Sequence, residues 1–285
     1  MKELTIRTIL RRATDFLIDN GIEEARLDAE VLLAHVLNTS RLRLYVDLER
    51  NIDDSTDAYK NLIRLRAEHI PVAQLIGVRE FMGLDFNITP DVLIPRPETE
   101  LLVQISIENL ERLNRPSTAA DIGTGSGAIA VSIAHHIENV TVDATDISPA
   151  ALAVARSNAE KFSVDRRINF VEGNLLEPLS HKKFDAIISN PPYIPTAVID
   201  NLQPEVSKHE PRLALDGGLD GLDCYRKIIG GSARMLNDDG FIALEIGINQ
   251  AAPVTKIIDH TDQFNAVDIV KDLNGIDRII VAHKK

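Results

Sequence analysis

Downstream of Pro95 the chain alternates short apolar runs with stretches of helical period, and one junction between them reads Asp121-Ile122-Gly123-Thr124-Gly125-Ser126-Gly127. Such alternation requires strands joined by crossover helices that cover both faces of an open sheet. Glycines where a strand gives way to a helix permit a tight turn and let a ligand approach the backbone, so this junction also marks the edge of the sheet at which chemistry happens. The pattern predicts a helix from Pro97 to about Leu113, a strand reaching Ile122, a helix from about Gly127 to Ile137, a strand over 140–145, a helix from Ser148 to about Phe162, a strand over 168–171 and the apolar strand Phe184–Ser189. Beyond a long proline-rich segment, 194–221, come a helix to about Leu236, a strand over 241–246, another helix, and strands near 266–270 and 278–281. Seven strands with intervening helices make one nucleotide-binding α/β sheet over residues 96–285.

The first 70 residues have a different period. Ile6, Ile9, Leu10, Ala13 and Leu17 repeat at three and four, as do Ala29, Leu32, Leu33 and Val36, and then Leu62, Ile63 and Leu65. Gly21 stops the first of these helices, and Ser55 or Thr56 caps the last. A small helical bundle over 1–70 is expected. Between Pro71 and Pro95 the segments 72–77 and 84–88, around Met82-Gly83, read as a β-hairpin linking the bundle to the sheet.

Composition excludes several classes. A single cysteine, Cys224, allows neither an intramolecular disulfide nor a cysteine zinc site. His135 and His136 are adjacent on a helix and point apart, so no metal site is expected. The first dozen residues mix charge with apolar side chains, unlike a signal peptide, and no apolar run nears the roughly 20 residues of a membrane span. A formal charge of -12 argues against direct nucleic-acid binding. The expectation is a soluble, cytoplasmic, monomeric protein with no membrane association.

The glycine turn, Gly123 to Gly127, should hold a cofactor at a helix N-terminus, with Asp146, about 20 residues on at the end of the next strand, accepting ribose hydroxyls. Asn174 is placed to accept from an adenine amino group while Leu175 packs on the ring. These residues leave open whether the cofactor is NAD or S-adenosylmethionine.

The loop Asn190-Pro191-Pro192-Tyr193 decides between them. It follows the apolar strand and so lies at the carboxyl edge of the sheet. Its prolines have fixed φ and no N–H, leaving a stiff cradle of carbonyls, one amide side chain and one ring. Such a cradle suits a planar NH2 group, whose delocalised lone pair makes it a poor nucleophile. If the Asn190 side-chain oxygen and the Pro191 carbonyl accept its two N–H bonds, the lone pair turns toward a sulfonium methyl, and orientation replaces a strong base. Tyr193 is expected to pack on the substrate. Glu98 and Glu100 suit the first turn of a helix, Glu210 and Asp216 are candidates for shaping the substrate pocket, and Arg41, Arg43, Arg64 and Arg66 read as a solvated basic surface.

The glycine turn and the Asn-Pro-Pro-Tyr loop together resemble a class I S-adenosylmethionine-dependent methyltransferase with a Rossmann-like sheet. The segments 71–77, 80–84, 93–100 and 209–215 extend the resemblance over nearly the whole chain to the HemK/PrmC family, the peptide chain release factor glutamine methyltransferases. This resemblance implies methylation of the glutamine side-chain amide in the Gly-Gly-Gln motif of release factors, with S-adenosylhomocysteine as product. It assigns Gly123, Thr124, Gly125, Ser126, Gly127, Asp146, Asn174, Leu175 and Asn190 to the cofactor, and Asn190, Pro191, Pro192 and Tyr193 to the glutamine, with Asn190, Pro191 and Tyr193 catalytic. The N-terminal bundle would dock the release factor. Asn174 stands where an aspartate is frequent. Two alternatives remain: an adenine-amino methyltransferase acting on DNA or RNA, since the same loop can orient an exocyclic NH2, and a noncatalytic adaptor that keeps the fold.

Overall fold

Amphipathic spacing in the first 70 residues produces the bundle it predicts. In the computed structural model, which describes residues 5–52 and 56–285, the N-terminal unit contains α1 (Ile6–Asp19), α2 (Ala25–Val36), α3 (Arg41–Val46), α4 (Thr56–Ala67) and α5 (Val72–Ile76). Thr5 caps α1 by accepting from the Thr8 N–H, and Gly21 follows its end with φ of 78°. The five periodic residues of α1 are all buried, against Ala29, Leu32, Leu33, Leu44, Tyr59 and Ile63. Each of the leucine and isoleucine side chains contributes about 1.5–3 kcal/mol on leaving water. Ser55 lies outside the described residues, and α4 opens at Thr56.

The hairpin departs from the sequence reading in one strand. Residues 72–76 form α5, led by Pro71 and ended by Gly77 in the left-handed region, so the first strand is β1 (Val78–Phe81) and its partner β2 (Leu84–Asn87). A proline before a short apolar run and a glycine after it are start and stop signals for a helical turn, and they prevail over strand propensity here. Met82 and Gly83, at φ of 53° and 74°, form the expected two-residue connection.

The second unit continues with α6 (Pro97–Arg112), β3 (Ser117–Ile122), α7 (Ala128–His136), β4 (Val140–Asp146), α8 (Pro149–Lys161), β5 (Ile168–Glu172) and β6 (Phe184–Ser189). It is completed by α10 (Asp223–Ser232), β7 (Leu236–Glu245), α11 (Ala251–Thr261), β8 (Phe264–Lys271) and β9 (Asp277–Lys284), while α9 (Pro204–His209) groups with the first unit. The seven strands run in the order β5-β4-β3-β6-β7-β9-β8, parallel except for β9, which is antiparallel to both its neighbours. This is the α/β fold expected from the sequence. The order reverses between β3 and β6, the switch point where an open α/β sheet forms its crevice.

All six residues of β6 are buried, including Asp185. Burial pushes its carboxyl up, but hydrogen bonds from Arg115 (2.7 Å), the Thr118 N–H (2.7 Å) and Asn237 (2.7 Å) prevail and hold it below the usual carboxylate range. Among the described residues no helix is long and apolar enough to cross a membrane.

Candidate active site

The glycine turn after β3 spends its own backbone donors. The N–H groups of Gly123 and Thr124 both reach the Thr145 carbonyl (2.9 and 2.8 Å), that of Gly127 reaches Thr124 O (2.9 Å), and that of Gly125 reaches Asp146 Oδ2 (2.9 Å). These bonds brace the turn against the end of the next strand. Gly127, with φ of 81°, is required for packing: a Cβ there would lie 3.0 Å from that of Ala155. Thr124 and Ser126 are buried, and the Thr124 hydroxyl donates to Asp121 Oδ2 at 2.6 Å. Asp121 also accepts from the Ala130 N–H, and burial pushes its carboxyl up to about 7, with Asp146 adding to the shift.

Asp146 ends β4 and accepts once on each oxygen, from Gly125 N–H and from Ser148 N–H (2.9 Å). Ser148 in turn caps α8 through the Ala151 N–H. Each carboxylate oxygen has further lone-pair capacity, enough for two ribose hydroxyls. The Asn174 amide nitrogen donates to Glu177 (3.0 Å), which reserves its oxygen as an acceptor, and Leu175 sits beside it at φ of 50°.

The Asn-Pro-Pro-Tyr loop is held by residues far away in the chain. Ser189 ties the end of β6 to β3 through Ile122 O (2.6 Å). The Asn190 amide nitrogen donates to the Thr99 hydroxyl (3.0 Å), and Thr99 donates to Glu245 Oε2 (2.6 Å). Gln250 donates to the Tyr193 carbonyl (2.9 Å) while accepting from the Gly247 N–H (2.9 Å). Three glycines leave room for this loop, two for its backbone and Gly247 for the Tyr193 ring. A Cβ at Gly217, Gly221 or Gly247 would run into Tyr193, and at Gly217 into the Pro192 carbonyl as well. Burial pushes the Glu245 carboxyl up to about 7 against the pull of Thr99, with Glu98 raising it further and Arg278 and Arg96 lowering it.

Both loops open onto one cavity of about 210 Å³. Gly123, Gly125, Asp146, Gly173, Asn174 and Leu175 line one part, and Asn190, Pro192, Asp216 and Cys224 another. Its charged lining is three carboxylates, Asp91, Asp146 and Asp216, against one ammonium, Lys227. Asp216 is held below the usual carboxylate range by the Thr196 hydroxyl. Such a field repels phosphates and favours a ligand carrying positive charge. S-Adenosylmethionine fits this lining, with ribose hydroxyls for Asp146, an adenine amino group for Asn174 and cationic groups for the acidic wall.

The structure separates the sequence-derived site residues into two groups. Gly123, Gly125, Asp146, Asn174, Leu175, Asn190 and Pro192 meet at the cavity, whereas the side chains of Thr124 and Ser126 turn inward. Pro191 is buried and Tyr193 packs against the hydrophobic core, where burial pushes its phenol up to about 12. Glu100 pins the hairpin by accepting from Met82 N–H (2.8 Å), and the buried Glu210 binds Arg96 and the Ile94 N–H. Arg66 is not part of a solvated surface: it is buried between Asp28 (2.7 Å) and Glu205 (2.8 Å). Among the described residues no group of His, Cys, Asp or Glu could hold a metal.

Four residues with roles here were missed by sequence reasoning: Thr99, Glu245, Gln250 and Ile147. Ile147 lines the cavity beside Asp146 and is 49% exposed. An apolar residue between a strand-ending acid and a helix cap was its available signal. The other three lie in segments with no local sign of what they touch.

The chain matches the PrmC N-terminal domain over residues 8–77 and the methyltransferase small domain over 98–209. It is 43% identical over 280 residues to the release factor glutamine methyltransferase of Geobacter sulfurreducens, covering 97% of this chain and 95% of that one. It is 43% identical over 283 residues to the enzyme of the same name from Moorella thermoacetica, covering 99% of each. Among solved structures, a methyltransferase from Pyrococcus furiosus superposes with a TM-score of 0.51 at 20% identity, over 71% of this chain and 89% of that one. The hMettl16 catalytic domain in complex with MAT2A 3'UTR hairpin 6 superposes at 0.57 and 18% identity, over 78% and 81%. These two likenesses carry the fold.

Proposed function

The chain belongs to the release factor glutamine methyltransferase family, and we propose that it transfers a methyl group from S-adenosylmethionine to the side-chain amide nitrogen of the glutamine in the Gly-Gly-Gln motif of peptide chain release factors. The observation that carries this reading is the single cavity shared by Asp146, Asn174 and Asn190. When bound, S-adenosylmethionine supplies an electrophilic methyl on a sulfonium. Asp146 would hold its ribose, and Asn174, Leu175 and Ile147 would bind its adenine.

On the acceptor side, Asn190 Oδ1 accepts one N–H of the glutamine amide and a carbonyl of the proline pair accepts the other. The amide would then be held with its lone pair toward the donor methyl, which would pass to the nitrogen as its bond to sulfur breaks and the sulfonium becomes a neutral thioether, while the surplus N–H proton, held by the carbonyls, would pass to solvent. No strong base is needed, because positioning alone can be worth on the order of 7–11 kcal/mol. Tyr193 buttresses the loop from the core side rather than stacking on substrate.

The N-terminal unit docks the release factor. Its shallow groove between α1 and α4 has an apolar floor of Ile9, Ala13, Phe16 and Ile63, edged by Arg12, Lys60 and Arg64, in a chain that is acidic overall. That combination suits apolar side chains flanked by carboxylates. The enzyme acts as a cytoplasmic monomer.

Purified protein incubated with labelled S-adenosylmethionine and either a release factor or an adenine-containing oligonucleotide, followed by mass spectrometry, tests the reading. Label on the Gly-Gly-Gln glutamine is expected. Label on adenine alone would overturn the substrate, and no transfer to either would favour the adaptor.

A further inference from the structure

Behind Asn190 lies a chain of hydrogen bonds with a fixed direction. Glu245, the last residue of β7, is 1% exposed, and Thr99, in the first turn of α6, is 4% exposed. The Thr99 hydroxyl has one proton. It is given to Glu245 Oε2 over 2.6 Å, so toward Asn190, at 3.0 Å, Thr99 can only accept. An ionised carboxylate accepts and never donates, which locks the hydroxyl in that sense.

The two ends of an asparagine amide are nearly equal in shape, and only their partners tell them apart. A side chain whose NH2 is taken by Thr99 offers its oxygen to other partners. The opposite orientation would set an NH2 against the NH2 of a glutamine, donor facing donor.

We propose that Thr99 and Glu245 are positioning residues, which through this one-way relay make the Asn190 side-chain oxygen, and not its NH2, the group presented to the substrate amide. The inference rests on the reading above that Asn190 accepts a hydrogen bond from the substrate. Neither residue needs to touch substrate or cofactor; neither is among the residues lining the cavity.

The relay has a protonation limit. Glu245 is faced by Arg96 and Glu98 from the α6 end, by Arg278 from β9, by Tyr193 from the loop, and by Tyr225 from α10, whose hydroxyl donates to the Glu245 backbone carbonyl (2.8 Å). The two arginines favour its carboxylate and Glu98 opposes it. Once protonated, Glu245 can donate to Thr99, which frees the Thr99 proton for Asn190 Oδ1 and removes the bias. Turnover should therefore show an acid limb, losing rate as pH falls through the range in which Glu245 gains its proton.

The test compares wild type with Thr99→Val, Thr99→Ser and Glu245→Gln, using a purified release factor as acceptor. Thr99→Val keeps the shape and removes the relay. It should lower kcat by roughly 10–100-fold, the usual effect of removing a group that orients a catalytic one, with KM for the release factor and cofactor affinity by calorimetry changed less than about 3-fold. Thr99→Ser should restore most of kcat, and Glu245→Gln should lose the acid limb. A Thr99→Val enzyme with wild-type kcat, or a Glu245→Gln enzyme that keeps the limb, overturns the proposal. A second readout needs no substrate: the Asn190 side-chain amide resonances should move between wild type and Thr99→Val, or Glu245→Gln where that variant folds better. Unmoved resonances overturn the relay. A wild-type enzyme that methylates no release factor would instead overturn the function proposed above, and the resonances would still decide whether the relay exists.

Discussion

The turn after β3 and the loop after β6 stand at the carboxyl ends of adjacent parallel strands, yet they are held by opposite means. The glycine turn braces itself with bonds to the next strand end, Thr145 and Asp146, within about two dozen residues of sequence. The Asn-Pro-Pro-Tyr loop, deprived of donors by its prolines, is gripped from outside by Thr99 and Gln250 and accommodated by three glycines. The contrast matches the tasks proposed for them. A cofactor wall can be generic, but an acceptor cradle must be placed to within a fraction of an ångström, and distant rigid elements place it better than a free loop does.

Mutations can break or sharpen this contrast. The largest effect is expected at Asn190→Ala, where kcat should fall by roughly 10²–10³-fold, about 2.7–4 kcal/mol, as when one preorganised polar contact to a reacting group is removed. Single-turnover methylation of a release factor measures it, and near-normal turnover would refute the role of Asn190. Next comes a matched glycine pair. Gly123 and Gly221 have φ of 77° and 75°, but a Cβ at Gly123 meets nothing within 4 Å, whereas one at Gly221 meets the Tyr193 carbonyl. Gly123→Ala should cost only the left-handed strain, about 1–2 kcal/mol, and Gly221→Ala that strain plus overpacking, about 2–4 kcal/mol in all. Urea unfolding without cofactor compares them, and equal losses would show that the acceptor loop is not tightly cradled.

A third effect, read as a slope rather than as a single loss, concerns Asp121 beneath the glycine turn. Its folded carboxyl titrates at about 7, above an unfolded value near 4. Between those values the folded chain holds a proton that the unfolded chain has lost, so the Asp121 contribution to stability falls as pH rises through that window and is level above it. Asp121→Asn should flatten this part of the stability curve. Melting temperatures from pH 5 to 8 check it, and an unchanged slope would show that the group titrates normally.

What could be read from sequence divides along the same line. The order of strands and helices, the Asp146 position and the burial of α1 were legible because each depends on neighbours within a few turns of chain. Residues 72–76 were misread as a strand because Pro71 and Gly77 outweighed the apolar run between them. Tyr193 was expected to pack on the substrate; its contact with the core, which involves Gly247 and Gln250 more than fifty residues later, has no local signal. Thr99 was passed over between two glutamates that drew attention by their charge, and nothing near Glu245 announces a buried carboxylate. Arg66 looked like surface for the same reason, since its partners lie 38 and 139 positions away.

The placement of α9 bears on how such a gene could be cut and rejoined. The buried Arg66 guanidinium is neutralised from one side by Asp28 and from the other by Glu205, a residue encoded after most of the catalytic sheet. A chimera carrying only residues 1–78 would inherit the cation with half its counter-charge, and a truncation starting at Arg79 would keep Glu205 without the arginine. The N-terminal unit is therefore not a transferable cassette. A recombination breakpoint near residue 78 divides an electrostatic unit.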